Sequence, residues 1–191
     1  MVHTGSVAGD TGPTIIILKG KIKHAIFNDA YLVRHGIKPG STIIMTENAF
    51  MTHDAWYKAT KAIINGYNEM PVIRDNPQWA ILEFLDGFGY HEYEPRALKM
   101  KAERNILFSK EESKTSHVNQ AYNQFVANND KKILAETLAC QRKMKHVNKV
   151  IVDQYHLVFT VIAIVTETPN QTLVNIFHHV GLYPLNRPTW N

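Results

Sequence analysis

The hydrophobic pattern opens weakly. Residues 2–7 alternate over too short a span to give more than a weak strand. Two β-branched runs follow, 14–18 (TIIIL) and 42–45 (TIIM), and both predict buried strands. Glycine and proline mark turns at 9–13, at 20–23 and at Pro39-Gly40. Residues 28–35 carry helical spacing through Ala30, Tyr31 and Leu32 and stop at Gly36, a C′ glycine by position. From Thr52 the period becomes 3.6, with Ala55, Trp56, Ala59, Ala62, Ile63 and Tyr67 on one face. Thr52 is the expected N-cap, Asp54 sits in the first turn where the helix dipole favours an anion, and Gly66 marks the fraying end. Residues 70–77 read as a proline-punctuated loop.

The strongest feature is the stretch 79–91, WAILEFLDGFGYH. Its apolar run ends on Asp86, with Gly87, Gly89 and His91 just beyond. Such a run predicts a strand buried on both faces, and it holds Asp86 at the strand's carboxyl end. Open α/β sheets present ligand-binding and catalytic groups there, and the glycines let a ligand or another backbone approach. Asp-Gly is also a common turn dipeptide, so a purely structural role for Asp86 is the competing reading. Residues 95–101 predict a short helix bearing Arg96, Lys99 and Lys101, and 105–108 (NILF) a further strand. The polar segment 109–115 is a loop by composition. Residues 116–126 enter a helix, and Asp130 caps a longer one with Ile133, Leu134, Leu138 and Ala139 inward. The run 150–165 is apolar but fits neither period. A last helix is announced by Thr168 as N-cap, Pro169 at N1 and Gln171 at N3, with Leu173, Val174, Ile176, Phe177 and Val180 inward.

The order of elements predicts an α/β fold, a mixed sheet flanked by helices, with an α-helical C-terminal tail. The only change of character lies near residue 130, which divides the chain into 1–130 and a helical extension, 131–191. A length of 191 residues, 45% of them hydrophobic and 20% charged, is enough for a sizeable core. The net charge of +4 leans weakly toward a polyanionic partner. Cys140 is the only cysteine, so no intrachain disulfide forms, and an intracellular setting is expected. No signal peptide opens the chain. The run 150–165 is too short for a membrane span and is interrupted by Asp153, Gln154 and His156, so no membrane association is expected.

Several chemistries are absent from the sequence. There is no P-loop, dinucleotide fingerprint, Cys-x-x-Cys, His-Glu-x-x-His or Gly-x-Ser-x-Gly, and no small-molecule cofactor is implied. What remains is a constellation at the carboxyl ends of two strands. Asp86 and His91 follow one, and Ser116, His117, Gln120 and Asn123 follow the next. If the strands are parallel, both loops open on one edge. Metal-assisted phosphoryl chemistry needs several oxygen ligands on one or two ions, and Asp86 alone is too few. The basic stretch Arg142, Lys143, Lys145, His146 and Lys149 is either a solvated face or a nucleic-acid contact.

The segment Leu85-Asp86-Gly87-Phe88-Gly89-Tyr90-His91 resembles the Leu-Asp-Gly-His-x-Ser-His motif of the DDE superfamily endonucleases, the catalytic domains of pogo- and mariner-type transposases. Residues 115–123, TSHVNQAYN, resemble the later Thr-x-His and Gln-Pro-Leu-Asp segment of that family. Residues 12–20, GPTIIILKG, are similar to the strand and turn before its first helix. The resemblance runs over roughly residues 5–130 in order and spacing. It implies an RNase H-like fold and DNA as partner. It also implies a nuclear location, a possible homo-oligomer, and Mg²⁺ or Mn²⁺ bound by three acids to cleave or transfer phosphodiesters. Asp86 takes the place of the second acid, with His91 and His117 beside it, and Arg142, Lys143, Lys145 and Lys149 become candidate nucleic-acid contacts.

Two positions depart from the family pattern. The first acid belongs to a strand before the segment matched by residues 2–7, so the first strand is expected to be missing. The third acid is replaced by Asn123, whose amide oxygen ligates a cation without supplying charge. The resemblance therefore implies a decayed or partial metal site built on Asp86 and Asn123.

Overall fold

The structure, a computed structural model, describes residues 1–6, 8–85, 94–110, 154–168 and 170–179. It also describes helical positions 132, 133, 135–137, 139, 140 and 143. It is a mixed α/β fold. Strands β1 (Val2–Gly5), β2 (Thr11–Lys19) and β3 (Thr42–Thr46) form one sheet in the order β1-β2-β3. β1 runs antiparallel to β2, and β3 runs parallel to it in the register Ile16↔Ile43. Strands β4 (Ile81–Leu85) and β5 (Ile106–Lys110) form a second, parallel pair.

The β-branched run of β2 explains why the first sheet is buried on both faces. Ile16 and Leu18, with Ile43, point into a cluster closed by Phe27, Leu32 and Ile37 and by Val158, Ile162 and Val165. Leu32 belongs to helix α1 (Asp29–Arg34), capped by the side chain of Asn28. Ile15 and Ile44 point the other way, against Ala55, Trp56, Ala59 and Ile63 of helix α2 (His53–Glu69). The sheet thus lies between α1 and a C-terminal helix on one side and α2 on the other. Short helix α3 (Pro71–Arg74) follows α2. Helix α4 (Pro95–Glu103) crosses from β4 to β5 and packs on α2 through fully buried Ala97. Helices α5 (Gln154–Glu167) and α6 (Asn170–His179) complete the described chain. Among the described residues no helix is long and apolar enough to cross a membrane.

Six local expectations are corrected. The turn expected at 9–13 ends by residue 10, because β2 begins at Thr11. Pro13 is tolerated there because pairing to β3 starts only at Ile15, so its missing N–H costs no ladder bond on that side. Gly66 is not a fraying end. It is buried inside α2, where a Cβ would stand 2.2 Å from Pro13 Cγ and 2.6 Å from the Pro39 carbonyl oxygen. The loop expected at 70–77 contains α3, since Pro71 occupies the first helical turn, where a missing N–H costs nothing. β5 continues to Lys110, into the segment read as loop. The ambiguous run 150–165 is helical from residue 154 on, where the described part begins, and α5 sets Val158, Ile162 and Val165 on one stripe.

The sixth correction concerns β4. It begins at Ile81 and is buried on one face only. Ile81, Glu83 and Leu85 are half-buried, while Leu82 and its register partner Leu107 are each 59% exposed. An apolar run reports strand character but not whether both faces are covered.

Candidate functional site

The parallel strands carry the site. The carboxyl end of β3 leads through residues 47–52 to the start of α2, and the carboxyl end of β4 leads through 86–93 to the start of α4. The two helix starts touch: His53 Nδ1 stands 4.0 Å from Glu94 Oε2, and Arg96 Nη2 stands 3.7 Å from Asp54 Oδ1. The exits of β3 and β4 therefore open on one edge, as expected of a functional α/β edge.

Each side chain there has a local reason for its place. Thr52 caps α2, its Oγ1 accepting from the Ala55 N–H at 3.1 Å. Glu94 caps α4 by accepting from the Arg96 N–H, with Pro95 next in the first turn. Glu94 is only 4% exposed, and Arg96 Nε donates to its Oε1 at 2.6 Å. This bond with Arg96 holds the Glu94 carboxyl below its ordinary range, and Glu94 in turn raises the Arg96 guanidinium. Asp54 is held low chiefly by its hydrogen bond with Lys58, at 2.7 Å. Both acids are ionised at neutral pH and already paired. The Arg96 guanidinium lies over the Tyr57 ring, 4.3 Å from its centroid.

Beside this cluster a cleft of about 330 Å³ is lined by Thr46, Glu47, Asn48, Thr52 and Asp54, among others. Its rim is a rigid turn. Ala49 takes a left-handed φ of 61°, and the Asn48 side chain accepts from the Phe50 N–H at 3.2 Å. Non-glycine residues in that region are uncommon and concentrate at functional turns. A larger cleft of about 480 Å³ lies at the opposite end, around Asn68, Arg74, Gln78 and Arg104, beside the amino end of β4. It is remote from the strand exits.

Of the residues the sequence singled out, Asp86, His91, His117, Asn123, Arg142, Lys145 and Lys149 lie outside the described residues. Lys143 is helical and exposed. The structure fixes both ends of the segment holding Asp86 and His91, namely Leu85 at the end of β4 and Glu94 against His53 and Arg96. His53, Tyr57 and Glu94 were not singled out by sequence, and Arg96 was read only as a charge on a short helix. The usable signal was Glu94-Pro95, a capping acid before an N1 proline.

The described acids do not by themselves form a site for a pair of divalent ions. Among the described residues no three His, Cys, Asp or Glu side chains converge. Of the acids at this edge, Asp54 and Glu94 are paired with Lys58 and Arg96, while Glu47 lines the neighbouring cleft. No family model, curated protein or solved structure matches the chain.

Proposed function

We propose that the chain is a transposase-derived, DDE endonuclease-like domain with an RNase H-like sheet that binds nucleic acid and has lost efficient phosphodiester cleavage. The observation that carries this reading is the parallel β4–β5 pair, joined through α4, with Asp86 the first residue after Leu85 at the carboxyl end. The order and spacing of the Asp86 and His117–Asn123 segments support it, as does the chain's positive charge. Loss of cleavage follows from Asn123, which stands where the resemblance puts the third acid, and from the pairing of Asp54 and Glu94 with cations. Mg²⁺ or Mn²⁺ at Asp86 is then a weak, singly anchored ion, and no chemical step is assigned to it.

The test has two arms. Fluorescence anisotropy with labelled DNA is expected to show binding whose log K falls linearly with log salt, because phosphate contacts release counterions. Supercoiled plasmid with Mn²⁺ is expected to stay intact. No binding, or binding indifferent to salt, refutes the nucleic-acid reading. Nicking abolished by Asp86→Ala refutes the loss of cleavage.

A further inference from the structure

We propose that the Arg96 guanidinium is a stacking platform for an unpaired base of single-stranded nucleic acid, with Phe50 as a second aromatic contact on the same edge. This rests on the nucleic-acid reading above and names the part of the nucleic acid this edge takes.

The guanidinium of Arg96 is held on three sides. Its central carbon lies over the Tyr57 ring, 4.3 Å from the centroid, Nε donates to Glu94 at 2.6 Å, and Nη2 stands 3.7 Å from Asp54. Its Nε–H is bonded to one carboxylate and Nη2 lies near a second, yet the side chain remains 53% exposed. What it offers outward is the second face of a flat cation already immobilised. A phosphate arriving there meets two ionised carboxylates, and like charge opposes it. A neutral base meets no such opposition, and guanidinium planes and aromatic rings are the surfaces on which unstacked bases are received. Phe50 is 69% exposed and stands on the turn fixed by Ala49 and Asn48, two residues before the cap of α2. An apolar ring held open to solvent by a constrained turn suits stacking and does nothing for the core. Lys58, paired to Asp54, is exposed next to it and can follow the backbone of the strand.

The experiment is anisotropy with a short fluorescein-labelled oligothymidylate and a matched strand carrying abasic sites, on wild type, Arg96→Lys and Phe50→Ala. Arg96→Lys keeps the charge and removes the plane. Wild type is expected to prefer the intact strand by about fivefold or more, the lower end of one base stack. Arg96→Lys is expected to erase most of that preference while leaving abasic binding unchanged, and Phe50→Ala to reduce it. Equal binding of both strands by wild type overturns the stacking platform, and that arm needs no variant to fold. So does a preference that survives Arg96→Lys in a variant with an unchanged circular-dichroism melt. In both cases nucleic-acid binding itself stands. Failure of wild type to bind either strand removes the nucleic-acid reading and the platform with it.

Discussion

Lys101→Met separates a buried ion pair from mere packing. The Lys101 ammonium is bonded to the Glu83 carboxylate, with the two side chains only 5% and 9% exposed. It also lies 5.2 Å from the centroids of both the Trp56 and Phe108 rings. The pair ties α4 to β4 beneath α2, and the Tyr67 hydroxyl joins it by bonding to Glu83. Burial, reinforced by Glu83, raises the Tyr67 phenol far above its ordinary range. Methionine fills much of the lysine stem's volume, so the change removes charge rather than packing. Glu83 is then left ionised and buried with one neutral donor. Breaking one side of a buried pair costs about 3–5 kcal/mol, and the surviving Tyr67 bond places the expectation near 3 kcal/mol.

The double variant Lys101→Met/Glu83→Leu removes the stranded charge together with its partner. It is expected to return to within about 1 kcal/mol of wild type, because a buried pair rarely exceeds an apolar replacement by much. Urea unfolding at neutral pH measures both, with an unchanged m-value showing that the same surface is exposed. The coupling energy from the double-mutant cycle is then about 2 kcal/mol or more. A loss under about 1 kcal/mol for Lys101→Met, or a double variant as unstable as the sum of the singles, refutes the assignment of a desolvated, interdependent pair.

Burial lowers the His3 imidazole to about 4 from an ordinary 6.5, so between those values the unfolded chain binds the extra proton. Stability therefore falls as pH drops through that window, by roughly 3 kcal/mol in all, and is flat below it. Urea midpoints measured from neutral pH to pH 4 should show a His3→Gln variant losing less than wild type, and parallel curves contradict the assignment. Gly66→Ala gains about 1 kcal/mol of helix propensity but drives a Cβ into Pro13 and the Pro39 carbonyl. A net loss of about 2 kcal/mol or more is expected, read as a fall of several degrees in Tm. Asp86→Asn removes a negative charge from a segment proposed to lie near a bound polyanion, so DNA affinity in metal-free buffer is expected to rise. An unchanged or lower affinity places Asp86 away from the bound strand.

The first sheet was legible because its signal is chemical and local. Runs such as TIIIL and TIIM at 14–18 and 42–45 bury both faces, and β2 and β3 do so. Helix α2 was legible because one face repeats at 3.6 residues from a capping threonine, which does cap it. The parallel setting of β4 and β5, needed for two loops to share an edge, is present. The errors share a cause, since local composition does not report what lies across the fold. Proline was counted as a breaker at 71, where it begins a helix, and at 13, where it sits beside a single partner strand. Gly66 was read as weakness, although only a hydrogen at that Cα lets α2 meet the chain at Pro13 and Pro39. The outer face of β4 was assumed covered because its residues are apolar.

The candidate site divides along the same line. Asp86 was singled out from sequence because an apolar run and its glycines are contiguous, and the strand does end at Leu85. The cluster at the two helix starts could not be, since His53 and Asp54 stand about forty residues from Glu94 and Arg96 and meet only because α2 and α4 pack side by side. That packing also sets the chemistry. Two acids at one strand edge look in sequence like spare metal ligands. With Lys58 on one and Arg96 on the other they become fixed counter-charges, and their work is to orient a cation. The guanidinium over Tyr57 and the ring exposed to solvent at Phe50 are the surfaces on which the base-stacking proposal rests. The contrast between intact and abasic strands tests that proposal directly.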